Sequence, residues 1–515
     1  MEIEFKFIVP AERLEAVEEA VKEGGFSVTR LQAHYFDTPG KALSALGIAF
    51  RVRKEGAAWI QTVKAPGRGP LAREEHNVEL RDFAGGGQVP DPTLHQGSVA
   101  GDLLLKALSA ARDDLVETYE TAIERVTRDL SFDGGGGGGG GVGGGGCVVE
   151  LALDTGKVLA HRGQPEEKQA RVCELEMELK QGEVAGLVAL ASQWVHAHGL
   201  SLSTVSKAQR GERLLSARWA RPAEKAQPMA AARRHLPGGR ALQRLVVANC
   251  LQQMIGNASE MVEGSGDDEH VHQLRIGIRR LRTALRDLNA LAPGALHADW
   301  EAPLKEVFRR LGELRDRAQV LQSVDTALRD AGGPQVGRLK GPEQSAEQIV
   351  CGSAFQSTLV QLLGFTAAPD QAAGSVEDAS LGPKASQRAL AKKLESLLKQ
   401  VRKDVESFRQ LAPAKQHRLR KRLKRLRYLA EFLAPALRQN GKPFLQRLKP
   451  AQAALGRLND EQVAEDLYRA IASEDPKAWF GVGWLAARRE ALVVDAQRAL
   501  KRMGDRPQLR KKAIR

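Results

Sequence analysis

MEIEFKF, residues 1–7, sets Glu2, Glu4 and Lys6 at every second position, with Ile3, Phe5 and Phe7 between them. In an extended strand successive side chains point to opposite faces, so one face here is ionic and the other apolar. For a single strand the ordinary explanation is a surface strand whose polar face meets water. The same alternation recurs along the chain, however. Arg51 and Arg53 share a face in FRVRK, Lys64 ends TVK, Arg73 and Glu75 alternate, and so do Glu174, Glu176 and Glu178 in CELEMELK. A solvated face would mix Thr, Ser, Gln and Lys with these. Here acids gather at the first and a late strand, with bases between. If such strands close into a barrel, their ionic faces line its lumen. Carboxylates there suit Mg²⁺ or Mn²⁺, and Arg and Lys suit phosphate, a combination that fits a polyphosphate with a divalent metal.

The 515 residues exceed the size at which single cores stop growing, so two or more domains are expected. With 42% hydrophobic and 27% charged residues the chain reads as globular, not disordered. No apolar run is long enough for a bilayer and MEIEFK is too acidic for a secretory signal, so the expected location is cytoplasmic, with no membrane partner. Cys147, Cys173, Cys250 and Cys351 lie far apart without a CxxC pair, which supports neither a disulfide framework nor a thiolate zinc site. The net charge of +14 is divided unevenly. Residues 1–215 hold 24 Lys+Arg and 31 Asp+Glu, whereas residues 216–515 hold 53 and 32. The basicity belongs to the second part only, as expected of a module facing a polyanion.

Eight candidate strands precede residue 182: EIEFKFIV, AHYFDTP, GIAFRVRKEG, AAWIQTVKA, REEHNVEL, AIERVTRDLSF, CVVELALDTG and RVCELEMELK. Helical spacing appears in AERLEAVEEAVKEG and VAGLVALASQWVHAHG. The glycine run Gly134–Gly146 lacks the fixed spacing and following helix of a phosphate loop and reads as a flexible hairpin. The Pro/Ala-rich stretch Trp219–Gly239 reads as a linker, after which the pattern is helical almost throughout.

The ordered series MEIEFKF, YFDTP, RVR, VK, AIERVTR, ELALDTG, CELEMELK and SKAQRG resembles the CYTH domain, the triphosphate tunnel metalloenzyme family, over about residues 1–213. The resemblance implies an α+β domain built on an eight-stranded antiparallel β-barrel, a tunnel that hydrolyses a triphosphate with Mg²⁺ or Mn²⁺. Carried over by position, Glu2, Glu4, Asp154, Glu174 and Glu176 are metal ligands. Lys6, Lys64 and Arg125 are catalytic, and Arg51, Arg53, Arg73 and Lys207 bind substrate; Glu178 and Arg128 fit the pattern less closely.

In the second half VHQLRIGIRRLRTAL and QHRLRKRLKRLRYLAEFL carry His272, Arg275, Arg279, Arg282 and His417, Arg420, Lys424, Arg427 at matching offsets of 0, 3, 7 and 10, each set along one helix face. LGELRD and LGRLND follow, ending at Asp316 and Asp460, 44 and 43 residues after the histidines, as duplication of a helical unit would give. These motifs resemble the CHAD domain. That resemblance implies an all-α helical bundle of two pseudo-repeats over residues 240–510, joined to residues 1–213 by a linker at 214–239, whose eight basic residues bind inorganic polyphosphate. A basic helix face is otherwise most often solvated, and the histidines, lacking acid or Cys partners at ligand spacing, suit phosphate contact or helix packing better than metal. The two aspartates suit helix capping or holding an arginine in place.

The expected function is a metal-dependent inorganic triphosphatase acting on tripolyphosphate, with polyphosphate on the helical half and a link to polyphosphate granules. An organic triphosphate enzyme, hydrolysing thiamine triphosphate or cyclising ATP, needs a base pocket that only Tyr35, Phe36 and Trp59 could furnish. A non-catalytic polyphosphate- or RNA-binding protein is the third reading. Against RNA, the basic stripes lack interleaved aromatics apart from Tyr428.

Overall fold

The computed structural model describes residues 3–67, 73–81, 88–132, 146–216, 220–229, 236–336, 344–367, 380–504 and 507–510, without the side chains of 73 and 315–323. Glu2, most of the glycine run and part of the Pro/Ala-rich stretch lie outside the described residues. The chain forms two compact units. One holds residues 1–224 together with 255–270 and 350–368; the other holds 225–254, 271–349 and 369–515.

In the first unit all eight strands read from the sequence are present: β1 (Glu4–Ile8), β2 (Ser27–Asp37), β3 (Ala49–Glu55), β4 (Ala58–Pro66), β5 (Arg73–Leu80), β6 (Val116–Phe132), β7 (Cys147–Ala160) and β8 (Lys168–Gln181). A two-residue β9 (Ser201–Leu202) is additional. They make one antiparallel sheet in the order β5-β4-β3-β2-β6-β7-β8-β1-β9. The expected closed eight-stranded barrel is not formed among the described residues, because β5 and β9 end the sheet. The reason is local. Beyond Leu202 only the Ser203 N–H still bonds to the strand, donating to the Lys6 carbonyl at 2.9 Å, and the chain then turns into a helix at Lys207. Among the described residues no strand remains to reach β5.

The apolar side of each alternation is packed under helices. Phe5 and Phe7 of β1 and Phe50 and Val52 of β3 are almost fully buried. Phe50, Val52, Val63 and Ala65 share a core with Ala100, Leu104 and Ala107 of the helix Val99–Ala111. The ionic side is concave: side chains from β1 at one end of the sheet and from β4 and β5 at the other line the same cavities, so the sheet curls around them. Phe132 pairs with Cys147, so the β6–β7 ladder is in register on both flanks of the glycine run.

The second unit is helical. Its long helices include Pro383–Glu406, Pro413–Phe432, Lys442–Ile471 and Trp479–Lys501, together with most of Asp268–Leu288 and Glu301–Asp330. Leu274, Ile278 and Leu281 in one helix and Leu419, Leu423 and Leu426 in another are buried at three- and four-residue spacing, which leaves the basic residues between them for other faces. Among the described residues no helix is long and apolar enough to cross a membrane. All four cysteines are free thiols.

Candidate active site

Strand register assembles the acidic centre. Asp154 of β7 lies opposite Glu174 of β8, Lys6 of β1 lies opposite Glu176 of β8, and Arg125 of β6 lies opposite Asp154. A side-chain period of two therefore turns three separate motifs into one cluster. One carboxylate oxygen from each of Asp154, Glu174 and Glu176 lies within 4.8 Å of the others, and Asp154 and Glu174 are fully buried. Three hard oxygen donors at that spacing fit Mg²⁺ or Mn²⁺.

Cations already occupy these oxygens. Arg125 donates from Nε to Asp154 Oδ1 at 2.6 Å, and from Nη2 to Asp154 Oδ2 at 2.7 Å and to Glu176 Oε2 at 2.6 Å. Lys207 Nζ lies 2.6 Å from Asp154 and 3.3 Å from Glu176, and it also pairs with Glu174. Arg210 Nη1 donates to Glu174 Oε2 at 2.8 Å. Burial alone would raise the Glu174 carboxyl, but Lys207, Lys6 and Arg210 outweigh it and hold it down at about 2. Glu176 is held well below the usual carboxylate range against the same opposition from burial, chiefly by Lys207 and Arg125.

Two adjoining cavities meet at this cluster, and six residues line both: Glu4, Glu75 and Glu176 among the acids, Arg51, Lys64 and Lys207 among the bases. Lys6 lines one cavity, and Arg53, Arg125 and Asp154 line the other. Lys64 pairs with Glu75 at 2.5 Å, and Arg53 pairs with Glu55. Arg51 donates to the Tyr35 hydroxyl at 3.2 Å. Lys6 is half-buried with its ammonium on the Val205 carbonyl; desolvation lowers its pKa, opposed by Glu174 and reinforced by Arg210. Glu4 faces the cavities outside the three-carboxylate group, its pKa raised by burial and then by Glu176. Arg73 opens β5 opposite Pro66, and its side chain, like the whole of Glu2, lies outside the described residues. Glu178 lines a cavity while paired with Lys180 at 2.9 Å, whereas Arg128 is spent on the Ala20 carbonyl at 3.0 Å.

A short helix, Lys207–Leu214, covers one end of the concave face. The sequence SKAQ starts it as a capping box: the Gln209 N–H donates to Ser206 Oγ at 3.2 Å and the Ser206 N–H to Gln209 Oε1 at 3.0 Å. That fixes Lys207 as the first helical residue, beside the carboxylates. Gly211 sits against Tyr119 so closely that a Cβ there would lie 2.2 Å from the ring. Glu212 of this helix lines one cavity, and burial pushes its carboxyl up to about 7.

In the helical unit the two basic stripes differ from end to end. Arg275 and Arg279 both lie over the Phe308 ring, 4.9 and 5.0 Å from its centre, and Arg275 also donates to the Leu311 carbonyl at 3.2 Å. A Cβ at Gly312 would come within 2.9 Å of that guanidinium, so the glycine of LGELRD leaves room for Arg275. Lys424 senses both arginines: burial first, then Arg279 and Arg420, bring its ammonium down to about 6. His417 Nδ1 and Arg420 meet Asn459 Oδ1 at 3.0 and 3.1 Å, with Asp460 3.8 Å from Arg420. At the far ends Arg282 is paired with Glu301 at 2.7 Å and Arg427 with Glu431 at 2.6 Å. His272 is half-buried on the same helix as Arg275, and the Asp316 side chain lies outside the described residues.

Sequence reasoning overlooked Arg210 and Glu212, and read Glu75 only as part of an ionic alternation, without a role of its own. Arg210 stands three residues after Lys207 in SKAQRG, a spacing that puts both on one helix face and could have flagged it. No sequence signal links it to its second partner, Glu263, 53 residues on.

Residues 1–211 match the CYTH domain family and residues 245–469 the CHAD domain family. A crystal structure of the CHAD domain from Ricinus communis is similar at 22% identity, covering 56% of this chain and 100% of that one with a TM-score of 0.43. PptA from Streptomyces chartreusis is 18% identical over 52% of this chain and 99% of its own, with a TM-score of 0.40. HpAC1 from Hippeastrum, described as a putative adenylyl cyclase with a dominant triphosphatase activity, is 16% identical over 41% of this chain and 95% of its own, with a TM-score of 0.27. CYTH domains act on triphosphates with divalent metal, and CHAD domains are associated with polyphosphate. This chain carries a CYTH domain followed by a CHAD domain.

Proposed function

We infer that the CYTH domain is a metal-dependent inorganic triphosphatase that converts tripolyphosphate and water to diphosphate and phosphate, and that the CHAD domain binds inorganic polyphosphate. The observation that carries the first part is the shared lining of the two cavities, where acids and bases alternate around one buried three-carboxylate cluster. In this reading Asp154, Glu174 and Glu176, with Glu4 and Glu2, hold Mg²⁺ or Mn²⁺. The bound cation neutralises phosphate charge and acidifies the attacking water. Arg51, Arg53, Arg73 and Lys207 orient the phosphate chain. Lys6, Lys64 and Arg125 stabilise charge on the phosphoryl group as water attacks phosphorus and the bond to the diphosphate oxygen breaks. Each of these bases with a described partner is bonded to protein oxygen, so binding substrate would exchange those oxygens for phosphate and leave the carboxylates to hold the cation.

In place of a tunnel closed by eight strands, the curled open sheet and the helix Lys207–Leu214 together would enclose the triphosphate. Tyr35, Ile48 and Leu202 are among the residues lining one cavity, which favours, as a second reading, an organic group attached to the triphosphate. Against it, one face of Tyr35 is stacked on Tyr119 at 4.8 Å. Polyphosphate binding rests on Arg275, Arg279, Arg420 and Lys424, cations held close to one another, with His272, Arg282, His417 and Arg427 extending the two pseudo-repeated stripes.

The test is phosphate release from tripolyphosphate, ATP and thiamine triphosphate with Mg²⁺, Mn²⁺ or EDTA. Metal-dependent release favouring tripolyphosphate supports the reading. Preference for ATP or thiamine triphosphate transfers it to the organic alternative, and no release from any leaves a polyanion-binding protein.

A further inference from the structure

The acidic centre is connected by hydrogen bonds to a residue outside the CYTH match. Arg210 divides its guanidinium between two carboxylates. Nη1 goes to Glu174 at 2.8 Å, while Nη2 and Nε fork onto Glu263 at 2.8 and 3.2 Å. Glu263 follows the helix Gly239–Val262, within the CHAD match, and also accepts from Ser203 Oγ at 2.9 Å. Arg210, Glu174 and Glu263 are all nearly buried, with side chains 7%, 0% and 12% exposed. Next to this pair, Arg213 Nη2 lies 2.7 Å from both oxygens of Glu260, and Thr204 N–H donates to Ser259 Oγ at 3.0 Å. Glu263 is therefore joined to the cavity lining through Arg210, whereas Glu260 holds the same helices together without touching it.

We propose that Glu263 is a positioning residue for the metal and triphosphate site, acting through Arg210 on Glu174. A buried guanidinium seeks bidentate partnership with a carboxylate. With Glu263 in place, that fork is satisfied away from the cavity and Arg210 spends one N–H on Glu174. Without it, the fork turns to Glu174 and competes for the oxygens that hold the cation. The CYTH site then requires a residue contributed by the CHAD sequence, a requirement invisible in residues 1–211. The proposal rests on Glu174 being a metal ligand, as inferred above.

The experiment uses the full chain. Mn²⁺ binding to metal-free protein is read by electron paramagnetic resonance, and the Mn²⁺ concentration for half-maximal tripolyphosphate hydrolysis is read alongside. Glu263→Gln should weaken Mn²⁺ by about tenfold or more in both, as loss of a partner behind a metal ligand does. Glu263→Asp should recover part of the loss, and Glu260→Gln should stay within about twofold of wild type, since its partner is not on the ligand. Arg210→Lys, which keeps charge but lacks the fork, reads the relay from its other side. The double variant with Glu263→Gln should be no worse than the poorer single one. Wild-type Mn²⁺ affinity in Glu263→Gln overturns the proposal. So does an equal loss in Glu260→Gln, which would mean that only helix docking matters. If wild type binds Mn²⁺ but releases no phosphate, the triphosphatase reading falls while the binding titration still decides the relay. If it binds no Mn²⁺, both fall.

Discussion

Arg125 meets Asp154 across the β6–β7 ladder with two parallel hydrogen bonds, at 2.6 and 2.7 Å, and the carboxylate it grips is fully buried. Removing one member of a buried pair leaves the other without its counter-charge. Arg125→Ala should destabilise the metal-free protein by about 3 kcal/mol, the low end for a broken buried pair because Lys207 still reaches Asp154. Arg125→Lys should restore less than half of it, since an ammonium lacks the fork. Urea unfolding in EDTA measures both, and a wild-type midpoint for Arg125→Ala would refute the pairing as a source of stability.

Lys6 and Glu4 face the cavity from adjacent positions on one side of β1. Lys6→Ala and Glu4→Ala should each lower turnover of tripolyphosphate by about 100-fold or more, in the range for losing one preorganised charge at a reacting group. Circular dichroism should remain native, because neither residue belongs to the apolar face. Wild-type rates in both would remove the site from this cavity.

Glu212 gives a pH signature. Its folded carboxyl is raised to about 7 by burial, so it is neutral below that pH and adds a negative charge at the cavity above it. Tripolyphosphate KM should therefore rise as pH increases through about 7, and Glu212→Gln should flatten that rise. The stability sign is the same: the raised value favours the folded state at low pH, and this contribution fades between the ordinary 4.5 and about 7. A KM profile unchanged by Glu212→Gln would exclude the residue from substrate binding.

Lys424, brought down to about 6, is mostly neutral at pH 7 in the free protein. An anion beside it favours the charged form, so polyphosphate binding at pH 7 to 8 should take up a proton, and affinity should increase as pH falls toward 6. Calorimetry in buffers of different ionisation enthalpy detects the uptake, and Lys424→Met should abolish it. Charge reversal by Arg279→Glu or Lys424→Glu should weaken polyphosphate binding while tripolyphosphate hydrolysis stays at wild-type rate. Equal affinity after reversal would move the polyphosphate site elsewhere.

Much of this protein is legible along the chain. Every strand carrying an ionic alternation was readable, because a period of two in Glu2-Glu4-Lys6, Arg51-Arg53 and Glu174-Glu176 is a local property of extended backbone. The helix start at Lys207 was equally local, set by the Ser206–Gln209 capping box, although sequence reasoning did not single it out. Register decided what the pattern meant: Asp154 faces Glu174 and Arg125 because the three strands keep one register from Val149 to Ala160, the single irregularity of β7 against β8 lying at Val148–Val149, and one residue of slip at the site would have turned each side chain to the other face. Whether the sheet closes was likewise a tertiary matter, settled by β9 ending after two residues. Glu263 on Arg210 is the clearest case of what sequence alone withholds. Charge pairing between residues 53 positions apart leaves no periodicity to read, and burial by packed helices, not spacing, makes that pair strong.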